Sequence, residues 1–247
     1  MAQGLASARL APQLIPHPDG GSPVTRSSQL ARTKQIGAGL AFVVFPLVFI
    51  FAFSVHPGLL TPHLADPAEL VQRALHNPAL QFGHALVTLN TALLVVVALH
   101  FTKRLEPTSG AWLGLAGGAL AILGALMLAA DKGALCLTLS GLATLPQAEL
   151  QPMMPGLLAI FAKQGWLVLL WGVLLLPLGF ALQAIALWRS RVLPRWQSIL
   201  FLIAVLFVAV PDGMEIVNLG ASFLLALALL PYGLHLIHAA DIDTADA

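Results

Sequence analysis

Charge is what this chain has least of. Of its 247 residues only 9% are Asp, Glu, Lys or Arg, where a soluble domain carries roughly 25%. A surface so poor in charge cannot be wetted, so lipid is its main solvent. Cysteine is nearly absent as well. Cys136 stands alone, which excludes an internal disulfide and any cysteine-built zinc or iron–sulfur site. The net charge of +1 leaves no basic stripe for nucleic acid. Phosphate-binding glycine loops, the zinc-protease helix motif and the serine-hydrolase elbow are all missing from the sequence. No apolar run carries a ladder of arginines for voltage sensing, and no channel filter signature occurs.

Long apolar runs are what the chain has in their place, with 58% hydrophobic residues. Six stretches suit a hydrocarbon layer of about 30 Å. They are Ile36 to Val55, Phe82 to Phe101, Ala111 to Ala130, Trp166 to Trp188, Gln197 to Val210 and Gly213 to His238. Continuous apolar runs satisfy their backbone groups in lipid only as helices, and they lack the alternation of a membrane strand. The expected fold class is an all-α, polytopic transmembrane bundle of about six spans. Pro46, Pro177 and Pro231 lie inside runs, so kinks are expected there. Residues 1–35 read as a polar, disordered tail, followed by an uncleaved anchor. Residues 239–247 read as a short acidic tail.

Basic residues orient the bundle. Arg9, Arg26, Arg32 and Lys34 precede the first run, Lys103 and Arg104 follow the second, and Arg189, Arg191 and Arg195 follow the fourth. Only Arg73, Lys132 and Lys163 fall on the other side. The positive-inside rule then places both termini in the cytoplasm. The outer side carries two long connections, 56–81 and 131–165, both interrupted by prolines.

Small residues mark one helix face. Gly110, Gly114 and Gly118 recur every four residues, with Gly117 and Gly124 beside them. This spacing lets another backbone approach closely, within the chain, in a homo-oligomer or in a membrane-protein partner.

Polar groups inside apolar runs are costly and therefore informative. His84, Thr88 and Thr91 share one face of the second run, and Asn90 lies beside them. Glu215, Asn218 and Ser222 share one face of the sixth. Both stripes start at the outer end, level with His56, Asp131 and Asp212. A pocket of His84, Thr88, Thr91, Glu215, Asn218, Ser222 and Asp131 could relay a proton, hold a metal or bind a polar head group. Helix-terminal capping explains Glu215 and Asp212 equally well.

A second set lies at the inner end. His100, His235 and His238 could meet there as metal or haem ligands. With His84 and His56 near the outer face, the layout would resemble a diheme membrane cytochrome of the b type. Its departure is angular: His84 and His100 are sixteen residues apart, about 160° around a helix.

The connector Leu187-Trp188-Arg189-Ser190-Arg191-Val192-Leu193-Pro194-Arg195-Trp196 is similar to the short inner loop of uncharacterised, domain-of-unknown-function bacterial membrane families with six spans. The resemblance covers the helical layout and these connector residues. It implies the inner membrane of a bacterium and carries over no functional residue. Three functions follow as expectations. The first is an accessory or assembly subunit packing through the glycine face. The second is a small transporter or membrane enzyme using the outer polar pocket. The third is a haem- or metal-binding redox protein.

Overall fold

A computed structural model describes residues 23–56, 58–60, 66–75, 77–161, 166–208 and 214–242. Every element among them is helical. In order they are α1 (Pro23–Ser54), α2 (Pro67–Leu75), α3 (Pro78–Leu105), α4 (Ala111–Leu142), α5 (Gln147–Leu150), a 3-10 turn (Gln151–Met153), α6 (Met154–Phe161), α7 (Trp166–Ser190), α8 (Arg195–Phe207) and α9 (Glu215–Ile242).

The chain is an integral membrane protein. Four helices are long and apolar enough to cross a bilayer: α1 from Gln29, α3, α4, and α9 to Ala240. The described apolar part of α7, Leu174–Ser190, is shorter, and so is α8 with its thirteen residues.

The long helices and α8 form a closed ring. Each of α1, α3, α4, α7, α8 and α9 packs on the next, and α9 returns to α1. Consecutive members alternate in direction. One end gathers the close of α1 and α4 with the start of α3 and α9; we call it the pocket end. The opposite, basic end holds Lys103, Arg104, Arg189 and Arg195, with Trp112, Trp188 and Trp196 largely exposed beside them. Tryptophan favours that headgroup level.

Local signals explain several boundaries. Asn77 caps α3, its side chain accepting from the Leu80 N–H at 3.0 Å, and Pro78 supplies the first-turn φ. Pro194 is itself the N-cap residue of α8, without a side-chain cap. Between α7 and α8, Arg191 takes φ 56°, a left-handed turn closing the hairpin.

Three boundaries differ from the sequence expectation. Helix α1 starts at Pro23, inside the stretch read as a tail. Residues such as Gln29, Leu30, Ala31 and Arg32 favour helix without being apolar enough to enter lipid. Helix α4 runs twelve residues past Ala130 to Leu142, so Asp131 lies within a helix. Leu139 beyond it stays buried, and an adjacent acid and base do not break a helix. Helix α9 continues to Ile242, through the start of the segment read as an acidic tail. Residues 1–22, 209–213 and 243–247 lie outside the described residues, and Asp212 with them.

The connections at the pocket end are not structureless. Val71, Ala74 and Leu75 of α2 join Leu80, Leu139, Leu150 and Leu157 in a small satellite core. Leu157 of α6 is thus part of one wall of a cap made by α2, α6 and the end of α4.

Candidate functional site

The pocket end brings together three ionisable side chains from three helices. His56 follows the last turn of α1, His84 lies in the second turn of α3, and Glu215 opens α9. His56 Nδ1 stands 3.4 Å from Glu215 Oε1. The His56 and His84 rings lie 5.9 Å apart between centroids. Glu215 is 4% exposed and His84 9%. A separation of 3.4 Å is longer than an ordinary N–H···O bond. The two groups are within ion-pair distance and beyond ordinary hydrogen-bond length.

The hydroxyls of the two stripes are committed elsewhere. Thr88 donates to the His84 carbonyl at 2.9 Å, and Thr91 donates to that of Thr88 at 2.6 Å. Ser222 donates to the Asn218 carbonyl at 2.7 Å. Each hydroxyl has one proton, so towards any ligand these oxygens can only accept. Thr91, at the middle of α3, and Asn218 and Ser222, in the first turns of α9, are buried. Thr88 is only half-buried, with its methyl towards Gly133 of α4. Asp131 pairs with its neighbour Lys132 at 3.6 Å.

Asn90 sits in the same half of α3 and is 2% exposed. Its Nδ2 donates to the Phe45 carbonyl at 3.0 Å, one residue before the helix-breaking Pro46 of α1. Its Oδ1 is buried with no hydrogen-bond partner among the described residues. Phe49, one turn nearer to His56 than Phe45, is buried between Asn90 and the His56–Glu215 pair, and on the far side Leu94, Val97, Leu225 and Leu229 are buried too. That apolar interior separates the His56–Glu215 pair from the basic end.

At the basic end the three histidines do not converge. His100 Nε2 shares a hydrogen bond of 2.9 Å with the Tyr232 hydroxyl, and Phe42 stands edge-on to both rings. His235 and His238 face outwards, exposed, and His238 Nδ1 bonds the Leu234 carbonyl at 2.7 Å. The residues that pack inwards on this part of α9 are Tyr232, Gly233 and Leu236, which turns both histidines away from His100. Among the described residues, no three His, Cys, Asp or Glu side chains are placed to hold a metal ion.

The glycine stripe is occupied inside the chain. Gly114 and Gly118 lie against Leu105 and Thr102 of α3, and Gly110 lies against Ala186 of α7. Gly117 and Gly124 meet α7 at Gly179 and Leu176. A Cβ on Gly117 would come within 2.7 Å of the Gly179 carbonyl oxygen. The α4–α7 contact is therefore backbone against backbone, as small residues allow in lipid.

Sequence reasoning placed His56 at the right level and left it out of the pocket. It passed over Gln183, the fully buried amide of α7. Gln183 Nε2 donates to the Ala98 carbonyl at 2.9 Å and lies 3.1 Å from Thr102 Oγ1 and 3.3 Å from the Gly114 carbonyl. The signal was present: one amide in the middle of an apolar run. The second glycine contact, Gly39 of α1 against Gly233 of α9, has no repeat to announce it. No family model, curated protein or solved structure matches this chain.

Proposed function

We propose that the chain is a six-span protein of a bacterial inner membrane, with both termini in the cytoplasm and the pocket end facing outwards. Its work is done at His56, His84 and Glu215, as a small transporter or membrane enzyme that takes up and releases a proton there. The six-helix ring supports the span count, because α7 and α8 occupy positions equivalent to the four long helices. The basic residues at one end support the orientation.

One observation carries the functional reading: Glu215, 4% exposed in an apolar bundle, stands 3.4 Å from His56. A buried carboxylate is expensive, and a His–carboxylate pair is suited to passing one proton near neutral pH. The apolar layer below separates these groups from the basic end. The glycine stripe, which favoured an assembly subunit, is filled by α3 and α7. It offers no free face for a partner.

The test is complementation in a strain deleted for this chain. Wild type restores the deletion phenotype; Glu215→Gln and His84→Ala, expressed to matched levels in the membrane, do not. Rescue by both variants sinks the reading.

A further inference from the structure

The turn between α7 and α8 concentrates charge of one sign. Arg189, Arg191 and Arg195 fall within seven residues and are all exposed, so the chain itself keeps the three guanidiniums close. Among the described residues none of them has a carboxylate within ion-pair distance. The first turn of α8 holds no acid, and neither does that of α4, which starts against Ala186 of α7. Trp188 and Trp196 bracket the turn and are each nearly half exposed, at the headgroup level that tryptophan favours. Leu187 and Leu193 are buried in the main core. Both arms are thereby pinned, and the arginines stand on a fixed turn.

The positive-inside rule accounts for basic residues at this end, and not for where two of these stand. Arg191 follows the last turn of α7 with φ 56°, a left-handed position that glycine fills without strain. Arg195 opens α8, where the helix dipole disfavours a cation. Only Arg189, in the last turn of α7, stands where the dipole favours it. Both Arg191 and Arg195 are exposed, so their side chains do not fill the core. Local rules broken without a packing gain point to function. An anion beside the turn resolves both conflicts: it offsets the charge at the start of α8, and guanidinium forks match phosphate oxygens in pairs.

We propose that the α7–α8 turn binds the headgroup of an anionic phospholipid, its phosphate held by Arg191 and Arg195 with Arg189 beside them. The pattern below the turn selects lipid over an acidic protein. On α8, Arg195, Ile199 and Ile203 recur every four residues on one face, and all three are exposed. On α7, Arg189 shares a face with Ile185, Leu182 and Leu178, which are half-buried or exposed. Each helix thus presents charge at the headgroup level and apolar surface directly beneath it. That order matches a phosphate followed by acyl chains. A water-soluble acidic partner would leave the apolar part uncovered. The site lies at the basic end and is independent of the pocket at the other.

The experiment is native mass spectrometry of the full chain from a neutral detergent, with phosphatidylglycerol and phosphatidylcholine of the same acyl chains offered together. Wild type is expected to retain phosphatidylglycerol in preference to phosphatidylcholine. Arg191→Gly and Arg195→Gln should each lower that retention about five-fold, the worth of one basic residue at a membrane surface. Lys34→Gln removes a charge from the same end on α1, across the ring from α7, and should leave retention unchanged. Arg191→Gly should also melt no lower than wild type in lipid-free detergent, because glycine suits the left-handed turn. Lost binding with undiminished stability separates a lipid site from a structural arginine. Equal retention of the two lipids by wild type overturns the proposal. So does an equal loss in Lys34→Gln, which marks diffuse attraction to the whole basic end. A lower melting point for Arg191→Gly overturns it too, since the arginine would then serve the turn itself. A glutamate-rich peptide retained in place of phosphatidylglycerol overturns lipid as the occupant.

Discussion

His56 Nδ1 and Glu215 Oε1, 3.4 Å apart, join the end of α1 to the start of α9. These two helices are far apart in sequence and adjacent in the ring. Breaking such a pair from one side leaves a buried charge, at about 3–5 kcal/mol. Replacing both partners by apolar residues removes the charge altogether. His56→Phe is therefore expected to lower stability more than the double variant His56→Phe/Glu215→Met. Thermal denaturation in detergent, arranged as a double-mutant cycle, measures the difference. A double variant weaker than either single one would contradict the pairing.

Backbone contact between α4 and α7 leaves no room for a side chain. A Cβ on Gly179 would overlap the Ala121 backbone, and one on Gly124 would overlap that of Leu176. Overpacking of this kind costs about 1–3 kcal/mol, occasionally more. Gly179→Leu is expected to cost more than that range and to give aggregated material on size exclusion. Gly220→Ala, where a Cβ meets open space, is the control and should behave as wild type.

Gln183 tests how much a buried amide contributes in lipid. Its neighbours Ala98 and Gly114 offer helix carbonyls, and Thr102 already donates to Ala98 at 2.8 Å. Few groups are stranded when the amide goes. Gln183→Leu is expected to cost only about 0.6–1.7 kcal/mol, the range of interhelical hydrogen bonds in membranes. Gln183→Lys, which buries a charge, should prevent accumulation of folded protein. Steric-trap unfolding of the two variants gives the comparison.

Orientation is open to chemical labelling. In a Cys136→Ala background, Ser140→Cys places an exposed thiol near the pocket end of α4, and Ser109→Cys places one in the turn before it. An impermeant maleimide is expected to reach position 140 in intact spheroplasts and position 109 only after lysis. The reverse pattern would turn the bundle over.

Much of this arrangement was legible in the sequence because lipid imposes simple rules. Apolar length sets where a helix exists, so each run overlaps a helix among the described residues. Helix ends were less legible, because a helix continues after hydrophobicity stops. Asp131 and Lys132 look like the start of a loop and lie within α4. The site was half legible. Glu215 and His84 stood out as polar residues in apolar runs, and the fold brings each of them next to His56. Thr88, Thr91 and Ser222 matched the same spacing, yet their protons go to their own helices. Spacing fixes the face of a helix and says nothing about rotation relative to a neighbour. His235 and His238 failed as partners of His100 for that reason.

The brevity of α8 reaches beyond the protein. Thirteen residues rise about 20 Å, well short of the roughly 30 Å of a typical hydrocarbon layer. With α8 as one of the six proposed spans, lipid beside it must dip, tilt or thin to meet it. Bilayer thickness then becomes a variable of the bundle: membranes of short acyl chains ease the mismatch, and long, saturated ones strain it.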